Sequence, residues 1–270
     1  MRYKLFLLDN DGYLTKFGSR TLTQGVPETL AMVHEFSEFG FAVVTGRSRN
    51  YVESEHEKTA PRAIASEHGM LIDFADGGRI IYPKNLDYVK RFKESIENNK
   101  KGEWFPYVGS DGMEKSVPFV EEPGKSAIYT MSLDPLRVEA LKDADSSSIR
   151  TMARDLYDYI KSEINSNGYR GSIFPVLNDD SVEIVPRVGA KAWSMKKICE
   201  AYRIPLVNTF AGGDSSSDVP MMKEAGLCGT VANASEDVKN TVGEMGGLVS
   251  DKQHGHGFRD NMKKIFGAEI

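Results

Sequence analysis

Apolar and polar positions alternate along the chain in blocks. Leu5-Phe6-Leu7-Leu8 is an unbroken apolar run that Asp9 ends, and it predicts a fully buried strand over 3–8. Val26, Leu30, Val33 and Phe36 recur at helical spacing, with Pro27 in the first turn and Gly40 beyond the last. That pattern predicts a helix over 26–39. Phe41-Ala42-Val43-Val44 and the weaker Ile64-Ala65-Ser66 predict two more strands. Asp76-Gly77-Gly78, between Leu71-Ile72 and Ile80-Ile81, predicts a hairpin. Residues 100–124 are dense in glycine and proline and read as loop. A strand over 125–132 follows, then a loop or helix entry at 143–148 and a helix over 150–165 carrying Met152, Leu156, Ile160 and Ile164. Two strands follow near 172–176 and 181–185. From 190 the alternation resumes, with helices over 191–202, from about 217 and from the N-capping Ser235. Strands at 207–211, Cys228–Val231 and Leu248-Val249 separate them, and the last helix carries Phe258, Met262 and Ile265.

Strand–helix alternation at both ends predicts an α/β fold with a parallel sheet and helices on its faces. The mixed middle reads as an insertion. The expected division is a core of 1–83 and 188–270 with an inserted α+β domain over 84–187. The length of 270 residues suits two such units. A chain with 40% hydrophobic and 27% charged residues is expected to fold as a soluble globule. The formal net charge of −5 argues against a general nucleic-acid binder. No apolar run is long enough to span a membrane, and none reads as a secretory leader. Two cysteines, Cys199 and Cys228, are too few for a disulfide framework and suit a reducing cytoplasm.

Ligands in such sheets gather at the carboxyl ends of the strands. Four polar sites fall there. Asp9-Asn10-Asp11-Gly12 follows the first strand, offering one carboxylate to attack phosphorus or bind a metal and another to move a proton. Thr45-Gly46-Arg47 follows the second and suits an oxyanion. Lys191 opens a helix, against the helix dipole, as if aimed at a phosphate. Gly213-Asp214-Ser215-Ser216-Ser217-Asp218 ends another strand, and its two aspartates could hold Mg²⁺. Each site alone also has a plain reading: an acidic turn, a strand–helix turn, a surface lysine, an N-capping aspartate.

Taken in order, the four resemble the motif set of the haloacid dehalogenase-like superfamily. Leu5–Gly12 matches its hhhhDxDG motif, Val43–Arg47 its second, Pro186 with Lys191 its third and Gly213–Asp218 its GDxxxD motif. The resemblance implies a Rossmann-like core with a C2-type cap inserted after the second motif. It places the chain beside sucrose-phosphate, trehalose-6-phosphate and archaeal phosphoglycolate phosphatases and the eukaryotic-type phosphomannomutases. It implies a Mg²⁺-dependent phosphatase acting on a small phosphate ester, most simply a sugar phosphate, with a phosphoglycolate phosphatase, a phosphomutase of the phosphomannomutase type or a non-catalytic phosphate binder as alternatives. By resemblance, Asp9 is the nucleophile and Asp11 the general acid, then base. Asp9, the backbone carbonyl of Asp11, and Asp214 hold Mg²⁺, while Asp218 binds its water or orients Lys191. Asn10, Thr45, Gly46, Arg47 and Lys191 receive the phosphoryl group.

Three residues depart from the family pattern. Tyr13 stands where threonine is usual and is expected to alter the mouth of the site, Ser217 replaces an asparagine, and Ala192 a glycine. Glu67-His68-Gly69 resembles a tripeptide of the trehalose-6-phosphate phosphatases. Arg187 and Glu183 are candidate substrate contacts, with a surface or structural role the plainer reading of Arg187, and Trp104, Phe105 and Tyr107 could stack on a sugar, although packing within the inserted domain fits them better. His254 and His256 look like a metal pair, although a solvated helix start fits them better.

Overall fold

The computed structural model describes residues 3–16, 19–82, 86–109, 111–178, 180–186 and 190–267. The chain divides into two compact units, Met1–Ile81 with Gly189–Ile270, and Tyr82–Val188.

The first unit begins with β1 (Leu5–Leu8), whose side chains are all buried. Helix α1 (Val26–Phe36) buries Val26, Leu30 and Val33, whereas Phe36 is exposed. It stops before Gly40 because the Ser37 hydroxyl bonds back to the Val33 carbonyl and accepts from the Gly40 N–H. Next come β2 (Phe41–Val44), α2 (Arg49–His56), β3 (Ala63–Ser66), β4 (Leu71–Phe74) and β5 (Arg79–Ile81). The hairpin expected at Asp76–Gly78 is the β4–β5 pair.

The second unit opens with α3 (Leu86–Asn99). Its next stretch overturns the loop reading of 100–124. It holds β6 (Trp104–Val108), paired antiparallel with β7 (Glu114–Pro118), and the short β8 (Val120–Glu121). Pro106 and Pro118 are tolerated because β6 and β7 form a two-stranded ribbon, in which each strand is an edge. Phe105 and Tyr107 alternate inward while Trp104, Pro106 and Val108 face out. The strand expected over 125–132 is confined to β9 (Tyr129–Ser132). Helix α4 (Ser146–Ser166) starts earlier than its apolar spacing suggests, because Asp145 caps the N–H groups of Ser147 and Ser148. Strands β10 (Ile173–Leu177) and β11 (Ser181–Pro186) complete a sheet in the order β10-β11-β9-β8. The unit has its own core, where Phe92 and Ile96 of α3 and Leu156 and Ile160 of α4 meet Tyr129, Met131, Val182 and Ile184.

The chain then returns to the first unit with α5 (Ala190–Tyr202), β12 (Thr209–Gly212), α6 (Val219–Glu224), β13 (Leu227–Thr230), α7 (Glu236–Glu244), β14 (Leu248–Val249) and α8 (His254–Phe266). Its sheet runs β14-β13-β12-β1-β2-β3-β4-β5. The six strands from β14 to β3 are parallel, and β4 runs antiparallel to both its neighbours, β3 and β5. One face packs Leu5, Leu7, Ala42 and Val44 against Met195 and Ile198 of α5. The other packs Phe6, Leu8 and Val43 against Leu30 of α1 and Phe258 of α8. This is the expected α/β class, a parallel core carrying an inserted α+β unit.

Candidate active site

The register of the three central strands builds the site. Leu8 of β1 lies opposite Gly212 of β12 on one side and Val43 of β2 on the other. The segments after these strands, starting at Asp9, Thr45 and Gly213, therefore leave the sheet side by side. The Asp9 N–H extends the ladder to the Gly212 carbonyl at 2.9 Å. Gly12 has φ +79°, and a Cβ there would lie 2.0 Å from Asp214 Oδ2. Only glycine lets the loop after β1 press against Asp214.

Lys191 sits at the start of α5 and is buried. Its Nζ donates to Asp9 Oδ1 at 2.7 Å and to Asp218 Oδ1 at 2.6 Å. Asp218 Oδ2 accepts from the Asp214 N–H (3.2 Å), the Ser215 N–H (3.0 Å) and Ser215 Oγ (2.9 Å). Both oxygens of Asp218 are thus engaged, and the residue holds Lys191 and the loop after β12. Carboxylate oxygens of Asp9, Asp214 and Asp218 lie within 4.8 Å of one another. Burial, with Asp218 adding to it, raises the Asp9 pKa well above the usual range, against the pull of Lys191. Burial and the charge of Asp218 push Asp214 up to about 7. Burial works against the Lys191 cation, but Asp218 and Asp9 outweigh it and hold the ammonium charged. Two buried carboxylates thus share one ammonium, with the half-buried Asp214 beside them. Oδ2 of Asp9 and Oδ1 of Asp214 accept no hydrogen bond from the described residues. An all-oxygen donor set with excess negative charge and two open oxygens fits a hard divalent cation.

The Asp11 carboxylate stands outside this cluster, so Asp11 can offer a metal only its backbone. Its side chain is gripped by Arg47, with Nε at 3.1 Å from both oxygens and Nη2 at 2.9 Å from Oδ1. The Arg47 guanidinium lies 4.9 Å from the centre of the Tyr51 ring. Arg47, expected on a phosphate, is here paired with the second aspartate. The Asn10 side chain also turns away from the expected phosphate position. Its Nδ2 donates to Glu55 Oε2 at 2.6 Å and its Oδ1 faces His56 Nε2 at 3.0 Å. That leaves the backbone of Asn10 as the part that can meet a phosphate. Thr45 is buried, and its Oγ1 accepts from the Arg47 N–H at 3.1 Å. Glu67, His68 and Gly69 have φ of 51°, 59° and 84°, a left-handed turn that braces this loop. The Glu67 and His68 N–H groups donate to the carbonyls of Arg47 (2.9 Å) and Thr45 (2.7 Å). A Cβ on Gly46 would lie 3.0 Å from the His68 ring, so the loop and the turn fit closely.

Tyr13 corrects an expectation. It is fully buried, packs edge-on against Phe258 and accepts from Asn261 Nδ2 at 3.4 Å. It fills the space beneath β12, where a Cβ on Gly212 would lie 2.3 Å from its hydroxyl. It therefore belongs to the core rather than the mouth of the site. The Ser217 hydroxyl shares a hydrogen bond with Ser215 Oγ at 2.8 Å. His254 approaches the Gly12 carbonyl through Nδ1 at 3.3 Å, and no metal cluster among the described residues includes it or His256. Glu183 accepts from Lys125 Nζ at 2.6 Å inside the second unit. Phe105 and Tyr107 are core residues of that unit, and Trp104 is half exposed. Arg187 lies outside the described residues. Sequence reasoning missed Asn233, which donates from Nδ2 to the Gly12 carbonyl at 2.9 Å and to Asp214 Oδ2 at 3.1 Å. It also missed Glu55 and His56. None of the three stands in a motif, and only proximity in space singles them out.

A family model described as haloacid dehalogenase-like hydrolase matches residues 6–251. The chain is 31% identical over 87 residues to Phosphatase YwpJ of Bacillus subtilis (strain 168), a stretch covering 32% of this chain and 29% of that protein. It is 34% identical over 80 residues to a phosphoglycolate phosphatase of Methanothrix thermoacetophila, covering 30% of this chain and 34% of that protein. The chain thus spans about a third of the length of the relatives it matches. Among solved structures, a haloacid dehalogenase-like hydrolase from Bacteroides thetaiotaomicron superposes with a TM-score of 0.70 at 18% identity, covering 98% of this chain and 100% of that one.

Proposed function

Because the chain belongs to the haloacid dehalogenase-like hydrolase family, we propose that it is a Mg²⁺-dependent phosphatase. Its substrate is a small phosphorylated metabolite of the sugar-phosphate class, and the reaction runs through an aspartyl-phosphate. The observation that carries this reading is Lys191 bridging Asp9 and Asp218 beside the open oxygen of Asp214. An oxygen of Asp9 attacks phosphorus, and the bond from phosphorus to the ester oxygen breaks. Asp11 gives its proton to the departing alkoxide. Water then attacks the phosphorus of the acyl phosphate, Asp11 takes a proton from it, and Asp9 is regenerated with release of inorganic phosphate. Arg47 must release Asp11 before either proton moves, and its freed guanidinium then suits a phosphate oxygen. The backbone at Asn10 and Gly46, with Thr45 and Lys191, receives the remaining phosphoryl oxygens. Asp9, the Asp11 carbonyl and Asp214 would hold Mg²⁺, which neutralises charge on the transferring group when bound.

The inserted unit is read as the cap that selects the substrate, and the cytoplasm as the place of action. A second substrate, phosphoglycolate, is favoured by the name of the archaeal relative. The test is direct. Asp9→Asn should reduce turnover of p-nitrophenyl phosphate to background with an unchanged circular-dichroism spectrum, and full activity would refute the mechanism. EDTA should abolish wild-type turnover and added Mg²⁺ should restore it; activity that survives chelation would remove the metal from the reading. A panel of sugar phosphates and phosphoglycolate, scored by phosphate release, separates the two substrates.

A further inference from the structure

We infer that Asn233 is a positioning residue that presents Asp214 to the metal through a single oxygen, and so sets a preference for Mg²⁺ over Ca²⁺. The inference rests on the metal-dependent reading above and adds a residue that no sequence motif marks.

Asn233 lies just past β13. Its amide orientation is fixed from both ends. Oδ1 accepts the His254 N–H at 2.7 Å, so Nδ2 is the donor to Asp214 Oδ2 and to the Gly12 carbonyl. A flipped amide would set a donor against the His254 N–H and an acceptor against a carboxylate and a carbonyl. The His254 N–H is aimed by the first residue of α8, a non-glycine with φ 49°. A backbone held in that region persists only where its surroundings enforce it. Three segments, the loop after β1, the loop after β12 and the start of α8, therefore meet on one side-chain amide.

The effect falls on coordination. Asn233 takes Oδ2 of Asp214, Lys191 takes Oδ1 of Asp9, and both oxygens of Asp218 are already bonded. Each of these two carboxylates, Asp9 and Asp214, thus has one oxygen that accepts no hydrogen bond among the described residues and one that is turned toward its donor, which favours binding the ion through the first. Ca²⁺ gathers six to eight oxygens and readily takes carboxylates through both, whereas Mg²⁺ holds about six ligands in an octahedron and keeps several waters. One-oxygen presentation suits the smaller ion. Without the Asn233 amide, Asp214 is free to turn both oxygens inward.

The experiment measures Mg²⁺ and Ca²⁺ binding separately, by calorimetry and by the melting-temperature rise each ion causes, on the full chain. Wild type should prefer Mg²⁺. Asn233→Ala should weaken Mg²⁺ binding about tenfold or more, the size usual for loss of an outer-shell partner, and weaken Ca²⁺ binding less, so that the Mg²⁺-to-Ca²⁺ affinity ratio falls. Asn233→Asp is isosteric, keeps the acceptor for the His254 N–H and adds a carboxylate, so it should shift the ratio the same way and is the variant to read if the alanine form does not fold. An unchanged ratio in a folded variant overturns the inference while leaving the metal reading standing. Wild-type protein that binds neither ion overturns the metal reading, and this inference with it.

Discussion

Asn10, between the two aspartates that follow β1, commits its entire side-chain amide to α2. Because Nδ2 donates to Glu55, Oδ1 must accept from His56 Nε2, which fixes that imidazole with its proton on Nε2 and Nδ1 toward Thr59 Oγ1 at 2.9 Å. Burial lowers His56 to about 4, so the ring is neutral near pH 7. Burial also pushes Glu55 up to about 7, with Asn10 pulling down and Asp11 pushing up, and its buried Oε1 accepts no hydrogen bond among the described residues. The sign for stability follows. Folded Glu55 keeps its proton to about pH 7, whereas the ordinary value is 4.5, so its contribution falls as pH rises through that window. Glu55→Gln removes that loss. The melting temperature of the variant minus that of wild type should therefore grow between pH 4.5 and 7.5 and be flat above it. His56 has the opposite sign but is present in both proteins, so it cancels in the difference. A difference that is flat across the whole range would show that Glu55 titrates as an exposed carboxyl. The aspartates were legible in the sequence because they directly follow an apolar strand. The fate of Asn10 was not, because its partners stand 45 and 46 residues away.

At the scale of elements, what was legible followed burial. β1, β2 and the face of α1 read directly because their side chains are buried in a single pattern. The β6–β7 ribbon was hidden by Pro106 and Pro118, residues that argue against a central strand but not against two mutual edges. Helix α2 was hidden for a different reason: of its eight residues only Val52 and His56 are buried, too few to make a stripe. Helix α3 carries Val89, Phe92 and Ile96 at helical spacing and could have been found from them. Helix α4 is the longest, and Leu156 on its buried face has no exposed surface. Leu156→Ala should destabilise its unit by about 2–5 kcal/mol. Trp104 stands in that unit and Trp193 in the other, so fluorescence of Trp193→Phe and Trp104→Phe backgrounds during urea unfolding reports each separately. The Trp104 midpoint should fall; a shift carried by Trp193 alone would contradict the division into units.

At the scale of the whole molecule, the net charge of −5 gave no sign of a local arrangement in which two buried carboxylates share one lysine beside a third, half-buried one. Chain order was more telling than composition, because motifs from both ends of the chain must meet around one sheet. That has a consequence for how the protein is made. β1 pairs on one side with β2, which follows it closely, and on the other with β12, where Leu5 lies opposite Thr209. Asp9 and Lys191 are 182 positions apart. At ribosomal rates of about 5–20 residues per second, the lysine is made roughly 10–40 s after the aspartate it neutralises. For that interval Leu5–Leu8 has no β12 to pair with and Asp9 has no Lys191. The second unit is synthesised entirely within it. The unpaired edge of that strand, absent from the finished fold, is the exposed feature of this chain's synthesis.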